Sequence, residues 1–371
     1  MDIQAAKKHI DILKSKLHKT RSNKRKIFLM SDIMSLEHFV QIYEPEYSSN
    51  IHYNSDFIYN SYKNKMLKER TGNCEEILEA NKENNMLASH MLNEFEKANF
   101  IPFLFYKLKI IDKKRSYELL RDFMGYMGPL AIKKYNELIR NKSILTRTLD
   151  NSGGICWNFP TINKQVVESD EDNGIYNLMA IAHEIGHAIH FEKLNGIGRR
   201  RLEHNTFIES MSILFEEEFI NFGIENGMDF DILRNYVYSQ RIPESLSVKM
   251  ASSLIDKDLW FFNGRTMIFD EFDLDLIDMQ DDTYVYLAER FKDDLEYIEP
   301  LNYVIGFALT EKIHSESLNG KDALKEMLDI LLKSELYTHK ENMEHLGLAY
   351  FDFPNLKDNL IKNANNIVLK K

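Results

Sequence analysis

The residues best suited to chemistry in this chain lie in the stretch HEIGH, from His183 to His187. Side chains four residues apart on a helix project from the same face, one turn above the other. This spacing brings two imidazole nitrogens within reach of one metal ion, and zinc is typical of the pattern. Glu184, at the edge of that face, can take a proton from a metal-bound water without binding the metal itself. The stretch therefore predicts metal-assisted hydrolysis.

The residues around HEIGH predict a largely apolar helix. Apolar residues recur at helical spacing through the run IYNLMAIAHEIGHAIHFEKL. Two histidines and a glutamate are costly to bury in such a helix unless they have partners. A buried helix that carries the histidines incidentally is the alternative. A bound metal ion removes the cost of burying these groups, so we favour a zinc site.

A third protein ligand is needed for a catalytic zinc ion, with the fourth position open for water. The next run of helical spacing, TFIESMSILFEEEFINF, offers Glu209. Thr206 and Glu209 also match a T-x-x-E capping box, which would explain Glu209 without a metal. Glu216 lies two turns further along the same face and is placed to orient a histidine ligand. Alternatively, Glu216 belongs to an exposed acidic patch with the two glutamates that follow it.

These two motifs together carry a family resemblance. HEIGHAIH, followed by ESMSILFEE, resembles the oligopeptidase F and thimet oligopeptidase family of zinc metallopeptidases, in the HExxH gluzincin clan. That family's second motif, Glu-x-x-Ser-x-x-x-Glu, is matched by Glu209, Ser212 and Glu216. The resemblance implies that Glu209 is the third zinc ligand and that Glu216 supports the site. ESMS is also similar to the corresponding motif of the carboxypeptidase Taq type, a related zinc carboxypeptidase group.

The likeness extends over residues 150–360. GGICWNFP is similar to the glycine-containing hairpin that the family carries before its zinc helix. The run beginning KDALKEMLDILL is similar to the family's closing helices, although Lys333, Ser334 and Glu335 replace the glycine that usually follows. The N-terminal half is shorter than the family's usual helical scaffold.

Water addition to a peptide carbonyl creates an oxyanion that needs a hydrogen-bond donor. The family uses a cluster of histidine and tyrosine before a Tyr-x-x-Gly segment, and Tyr303 to Gly306 match that segment here. The histidine that usually opens the cluster is missing. Tyr297 is the first candidate for the donor and Tyr303 the second, and two tyrosines of the core are the alternative. His314, one helix further along, is expected to be structural.

Composition argues against several classes of function. The chain has 371 residues and a net charge of −11, which does not favour nucleic-acid binding. Its two cysteines, Cys74 and Cys156, lie far apart, which fits a reducing compartment rather than a disulfide scaffold. The N-terminus has no apolar signal segment, and no apolar run is long enough to span a membrane. We expect a cytoplasmic protein without membrane or nucleic-acid partners.

The order of patterns along the chain predicts a mainly α fold. Residues 1–145 show mostly helical spacing and are expected to form an N-terminal scaffold region, while residues 146–371 are expected to form the catalytic region. One continuous domain is the alternative. Residues 146–169 hold a glycine pair and β-branched residues, which predict two short strands around a turn. With the resemblance, we expect a multi-helical gluzincin-type fold with a small sheet beside the HEIGH helix and a deep cleft.

The function that follows is a zinc metallopeptidase of the oligopeptidase or endopeptidase kind, acting on short peptides. His183, His187 and Glu209 would hold zinc, and Glu184 would activate the water. A peptide could pair with the edge of the small sheet. A zinc carboxypeptidase of the Taq type is one alternative, although it needs a basic residue for the free carboxylate. A zinc-binding regulatory relative that has lost turnover is the other, because the expected histidine is missing.

Overall fold

The structure is a computed structural model that describes residues 3–47, 77, 79–97, 113–146, 153–170, 174–196, 206–228, 230–256, 295–316, 320–354 and 356. Helices dominate these residues. Their bounds are α1 (Ile3–Lys19), α2 (Asn23–Tyr43), α3 (Asn81–Lys97), α4 (Lys113–Tyr126), α5 (Pro129–Arg140), α6 (Ile175–Gly196), α7 (Ser210–Glu225), α8 (Asp231–Asp256), α9 (Leu295–Ser315), α10 (Gly320–Ser334) and α11 (His339–His345).

A small sheet precedes the HEIGH helix. Its strands are β1 (Ile144–Thr146), β2 (Gly154–Phe159) and β3 (Lys164–Ser169), in the order β1-β3-β2. β2 and β3 run antiparallel, with Cys156 opposite Val167, whereas β1 pairs with β3 in parallel. The turn between β2 and β3 ends at Asn163, whose φ of 47° is in the left-handed region that asparagine tolerates. The two strands predicted around a turn are confirmed, and β1 is an addition to that prediction.

Alternation along the strands gives each face of the sheet a different neighbour. Cys156 and Val167 pack against the large core that surrounds α6. Trp157 and Val166, the next residues along each strand, point into a second core formed with α1 and α2. Because successive strand residues face opposite sides, the sheet lies between the α1–α2 pair and α6. Thr161, beside the sheet, also donates a hydrogen bond to Asp32 of α2 at 2.9 Å.

The main core is centred on α6 and α7, which are buried over most of their length. A helix that is apolar nearly all round is stable only when other elements cover it. The covering elements here include α5, β2 and β3 around α6, and α9 and α10 around α7. Helices from both sides of residue 146 contribute to this core, including Leu87 and Phe123 from the N-terminal part.

The predicted mainly α fold with a small sheet beside the HEIGH helix is confirmed. The deep cleft and the division into two regions at residue 146 stay predictions. None of the described helices is both long and apolar enough to cross a membrane.

Candidate metal centre

The two histidines of HEIGH converge at one point on α6. His183, Glu184 and His187 lie in the middle of this helix, and each is at most 7% exposed. One helical turn separates the two imidazole rings, and their Nε2 atoms are 3.1 Å apart. The helix therefore presents two nitrogens to the same small volume, as the spacing predicts.

Glu209, the residue immediately before α7, adds a third donor atom to the two histidine nitrogens. Its Oε2 atom lies 3.2 Å from Nε2 of His183 and 3.2 Å from Nε2 of His187. The capping-box alternative is not found, because the Glu209 side chain makes no capping bond to the helix and Thr206 pairs instead with Nδ1 of His339 at 2.7 Å. Ser212, the third residue of the matched motif, donates its hydroxyl to the Glu209 carbonyl at 2.8 Å.

The donor atoms of His183, His187 and Glu209, which together form the candidate metal group, fit a metal ion. They form a nearly equilateral triangle with sides of 3.1 to 3.2 Å. A tetrahedral ion with nitrogen and oxygen ligands at about 2.0–2.2 Å has neighbouring ligand atoms about 3.3–3.6 Å apart. His183, His187 and Glu209 are the one group of three such side chains, among the described residues, whose donor atoms converge in this way.

Two glycines allow the helices that carry these groups to approach each other closely. A Cβ atom on Gly186, inside HEIGH, would lie 2.8 Å from the Ser212 Cα atom of α7. One on Gly306 of α9 would lie 2.6 Å from Cδ1 of Ile213 and 3.1 Å from the backbone of Glu209. Sequence reasoning noted Gly306 only as part of a motif and missed the role of Gly186. Gly186 therefore allows α6 to approach α7, and Gly306 allows α9 to lie close to Glu209.

Glu216 lies against the ring of His183. Its Oε1 atom lies 2.7 Å from Nδ1 of His183, on the side of the ring away from the metal group. The other oxygen accepts a hydrogen bond from Nη2 of Arg241 at 2.9 Å. Arg241 lies on α8 and was missed by sequence reasoning. The only signal for it was its spacing of three residues from Glu244 on one helix, which is common on solvated helix faces.

Electrostatics keep the carboxyl of Glu209 ionised. Burial acts to raise the pKa of the Glu209 carboxyl, but the adjacent His187 and His183 outweigh burial and hold that pKa well below its usual range. Burial likewise opposes the ionised form of Glu216, and His183 together with Arg241 keeps its pKa lowered. Both carboxyls are therefore anions beside the two imidazoles, and an anion is the form that binds a cation.

Glu184 is a buried carboxylate beside the sheet. A Cβ atom at position 154, the first residue of β2, would lie 2.9 Å from Cγ and 3.0 Å from Oε1 of Glu184. Gly154 therefore leaves the space that the carboxylate occupies. Burial raises the pKa of Glu184, and the neighbouring His183 and His187 partly offset that effect.

Tyr303 of α9 faces the same group from another helix. Its phenol lies close enough to Glu209 for the carboxylate charge to be the main cause of its pKa rising well above the usual range, with burial second. The guanidinium carbon of Arg241 lies 5.2 Å from the centre of its ring. Tyr297 is in the first turn of the same helix, and its side chain lies outside the described residues.

The other histidines have structural surroundings. His314 pairs with Oε1 of Glu218 at 2.8 Å, in agreement with the structural role expected for it. His190 follows the metal group on α6 and is fully buried, and burial lowers its pKa to about 3. It is therefore a neutral group of the core.

The chain is similar at low levels to several solved peptidase structures. A protein described as an oligoendopeptidase F is 11% identical over 80% of this chain and 58% of its own, with a TM-score of 0.49. A peptidase from Chlamydophila abortus is 14% identical over 92% and 62%, with a TM-score of 0.48. An oligoendopeptidase F from Bacillus anthracis is 9% identical over 93% and 62%, with a TM-score of 0.41.

No protein-family model matches the chain, and no curated protein matches its sequence. The chain spans about three fifths of the length of the solved structures just described. Because every TM-score is below 0.5, the argument for function rests on the geometry of the site.

Proposed function

We propose that this protein is a zinc-dependent peptidase that hydrolyses short peptides. The observation that carries the proposal is the convergence of three donor atoms, from His183, His187 and Glu209, within 3.2 Å of one another. A carboxylate that does not join this triangle, Glu184, lies on the same helix beside the first histidine.

The donor set favours zinc among the common metal ions. Two imidazoles and one carboxylate, with a fourth position left for water, are the ligands of a known class of zinc hydrolases. When bound, zinc lowers the pKa of a water in the fourth position and polarises a peptide carbonyl. Glu209 brings one negative charge to the ion, and Glu216 holds the ring of His183 through the opposite nitrogen.

Glu184 moves the proton in this proposal. Its carboxylate takes a proton from the attacking water and then delivers it to the leaving amine. Burial helps both proton transfers, because it raises the pKa of Glu184 toward the pH at which the carboxyl must accept a proton and then release it. The glycine at position 154 keeps the carboxylate free of a neighbouring side chain.

The edge of β2 is the place where we expect the peptide. β2 pairs with β3 along one side, and no other strand among the described residues pairs along its other side. An extended peptide can add to such an edge through main-chain hydrogen bonds, which do not require a particular side chain. Gly154 brings this strand next to Glu184, so a bound peptide would pass the proton-transfer group.

Tyr303 is the described residue best placed to donate a hydrogen bond to the oxyanion. Its phenol stays protonated at neutral pH, because the charge of Glu209 and burial both raise its pKa. It lies on α9, and Glu209 is the charge that acts on it most strongly. Tyr297 remains the alternative donor.

The test is peptide hydrolysis by the purified protein and by its Glu184→Gln variant. We expect wild type to cleave a C-terminally amidated peptide at an internal bond and to carry one zinc per chain. Glu184→Gln removes the base without removing a ligand, so kcat should fall by about 10²–10⁴-fold while zinc content stays the same.

Glu192→Gln is the matched control, since Glu192 lies on the same helix but pairs with Lys134 away from the metal group. It should retain the activity of wild type. A Glu184→Gln variant that is as active as wild type would contradict the mechanism. Release of single C-terminal residues from free peptides, with no cleavage of the amidated substrate, would instead favour the carboxypeptidase alternative.

A further inference from the structure

Arg241 joins the groups around the metal centre without belonging to it. It lies on α8, is 3% exposed, and forms ion pairs with two carboxylates. Its Nη2 atom donates to Oε2 of Glu216 at 2.9 Å, and its Nη1 atom donates to Oε2 of Glu244 at 2.9 Å. One planar cation therefore fixes two acidic side chains at once, which the fork geometry of arginine permits.

The contact with Glu216 extends to the metal ligand. Glu216 uses one oxygen for His183 and the other for Arg241, so neither oxygen can turn away without breaking a charge-assisted bond. As an anion, Glu216 accepts the Nδ1 proton of His183. In the neutral form of the ring, which is the form that binds a metal, this arrangement places the unprotonated nitrogen at Nε2, where the imidazole faces His187 and Glu209.

The same guanidinium lies over the ring of Tyr303, with 5.2 Å between its central carbon and the ring centre. A cation over a tyrosine ring is attracted to it and restricts its position. Arg241 therefore contacts a residue of α7 and a residue of α9. These helices carry the group that orients a ligand and the candidate donor to the oxyanion.

We propose that Arg241 is a positioning residue that holds His183, through Glu216, in the tautomer and orientation that bind the metal, and that holds the ring of Tyr303 in place. This inference rests on the proposed zinc site. Arg241 does not touch the three donor atoms, and its two terminal nitrogens are committed to carboxylates. A buried ion pair adds little net stability compared with apolar side chains, so folding alone does not account for a charge at this position.

The test measures zinc affinity directly, by competition with a chromogenic chelator and without any substrate. Arg241→Met should weaken zinc binding by about 10–100-fold, the range typical for loss of a group that orients a metal ligand. Glu216→Gln should weaken it to a similar extent. Because Arg241 acts through Glu216, the variant that combines Arg241→Met with Glu216→Gln should bind zinc about as tightly as whichever single variant has the lower zinc affinity.

Arg234→Met is the matched control. Arg234 is also a buried arginine of α8 and donates to Asn221 of α7, but it contacts none of the three donor residues. It should leave zinc affinity unchanged. Circular dichroism and melting temperature of every metal-free variant would show whether the fold is retained.

Arg241→Met leaves two acidic side chains without their cation, so a second variant guards against loss of folding. Arg241→Met combined with Glu244→Gln removes the cation together with the acidic group of one of its two partners, and it should show the same loss of zinc affinity. With Tyr303 released, kcat of the zinc-saturated variants should also fall while KM changes little.

The outcomes separate this inference from the proposed function. A wild-type protein that does not bind zinc overturns the proposed function. A wild type that binds zinc and cleaves peptides, beside an Arg241→Met variant with the same zinc affinity, overturns only the role of Arg241. Additive losses in the variant that lacks both Arg241 and Glu216 would also overturn it, because they would mean that Arg241 acts independently of Glu216.

Discussion

A single carboxylate oxygen determines the geometry of the candidate centre. Oε2 of Glu209 lies 3.2 Å from both histidine nitrogens, so it closes a triangle that the HEIGH helix can only begin. The Ser212 hydroxyl donates to the Glu209 carbonyl at 2.8 Å and so restrains the backbone of Glu209. The matched motif Glu-x-x-Ser-x-x-x-Glu thus contains a ligand candidate, a group that restrains it and, in Glu216, a partner for His183.

At the level of one residue, we predict that Tyr303→Phe lowers kcat by about 10²–10³-fold, the range typical for removal of one oxyanion donor. Zinc affinity should not change, because the phenol is not among the three converging donors. Steady-state kinetics and chelator competition measure the two effects. Tyr350→Phe, a change on a side chain that is 71% exposed, is the control. Full activity in Tyr303→Phe would make Tyr297 the candidate instead.

At the level of secondary-structure elements, close contacts between helices position the residues of the candidate centre. α6 supplies the histidines, α7 begins just after Glu209, and α9 presents Tyr303. Gly186 and Gly306 allow these helices to approach at distances that a Cβ atom would not permit. The distance between these helices therefore depends on the absence of a side chain at the two glycines as much as on the apolar residues around them.

We predict that Gly186→Ala destabilises the protein by about 1–3 kcal/mol and weakens zinc binding, because its Cβ would lie 2.8 Å from the Ser212 Cα atom. Backbone atoms cannot move aside as a flexible side chain can, so α6 and α7 must separate. Urea unfolding of the metal-free protein and zinc competition measure the two effects. Gly196→Ala, in the same helix but with nothing within 4 Å, should leave both unchanged or slightly raise stability. Equal behaviour of the two variants would contradict the close-packing argument.

Across the whole molecule, a second group of buried charges joins three helices beyond the metal centre. Glu311 of α9 is 1% exposed, and Glu217 of α7, Arg234 of α8 and His314 of α9 surround it. Burial is the main cause that raises the pKa of Glu311 to about 7, and the charge of Glu217 adds to it. The fold therefore holds a carboxyl that is protonated at mildly acidic pH.

This carboxyl makes stability depend on pH. Between pH 4.5, the usual value for glutamate, and pH 7, the unfolded chain has released the proton that the native protein still binds. The native state then binds more protons, so the free energy of unfolding falls as pH rises through this window. Below the window both states are protonated, and the difference vanishes.

We therefore predict that Glu311→Gln is more stable than wild type above pH 7, by up to about 3 kcal/mol, and that the gain disappears near pH 4.5. Urea unfolding across this pH range gives the comparison. Glu344→Gln, a change at an exposed position, should follow the wild-type curve. If Glu311→Gln and wild type had parallel curves, Glu311 would not be the titrating group.

Local sequence patterns were sufficient for several parts of this protein. The four-residue spacing in HEIGH places two imidazoles on one helix face, because that relation depends only on the helix repeat. The β-branched and glycine residues of 146–169 predict strands beside that helix, and the structure has them as β2 and β3. The prediction for Glu209 and Glu216 rests on a motif resemblance, since spacing alone also allows a capping box at Glu209 and an exposed acidic patch at Glu216.

Only the tertiary structure decided the rest. Glu209 meets the histidines because α7 packs against α6 at Gly186, and the number of residues between two helices does not determine how they pack. Arg241 is an ordinary helix residue in the sequence, and its burial between Glu216, Glu244 and Tyr303 appears only when α7, α8 and α9 are assembled. The physical reason is that a helix repeat fixes neighbours along one element, whereas contacts between elements depend on the packing of side chains from distant parts of the chain.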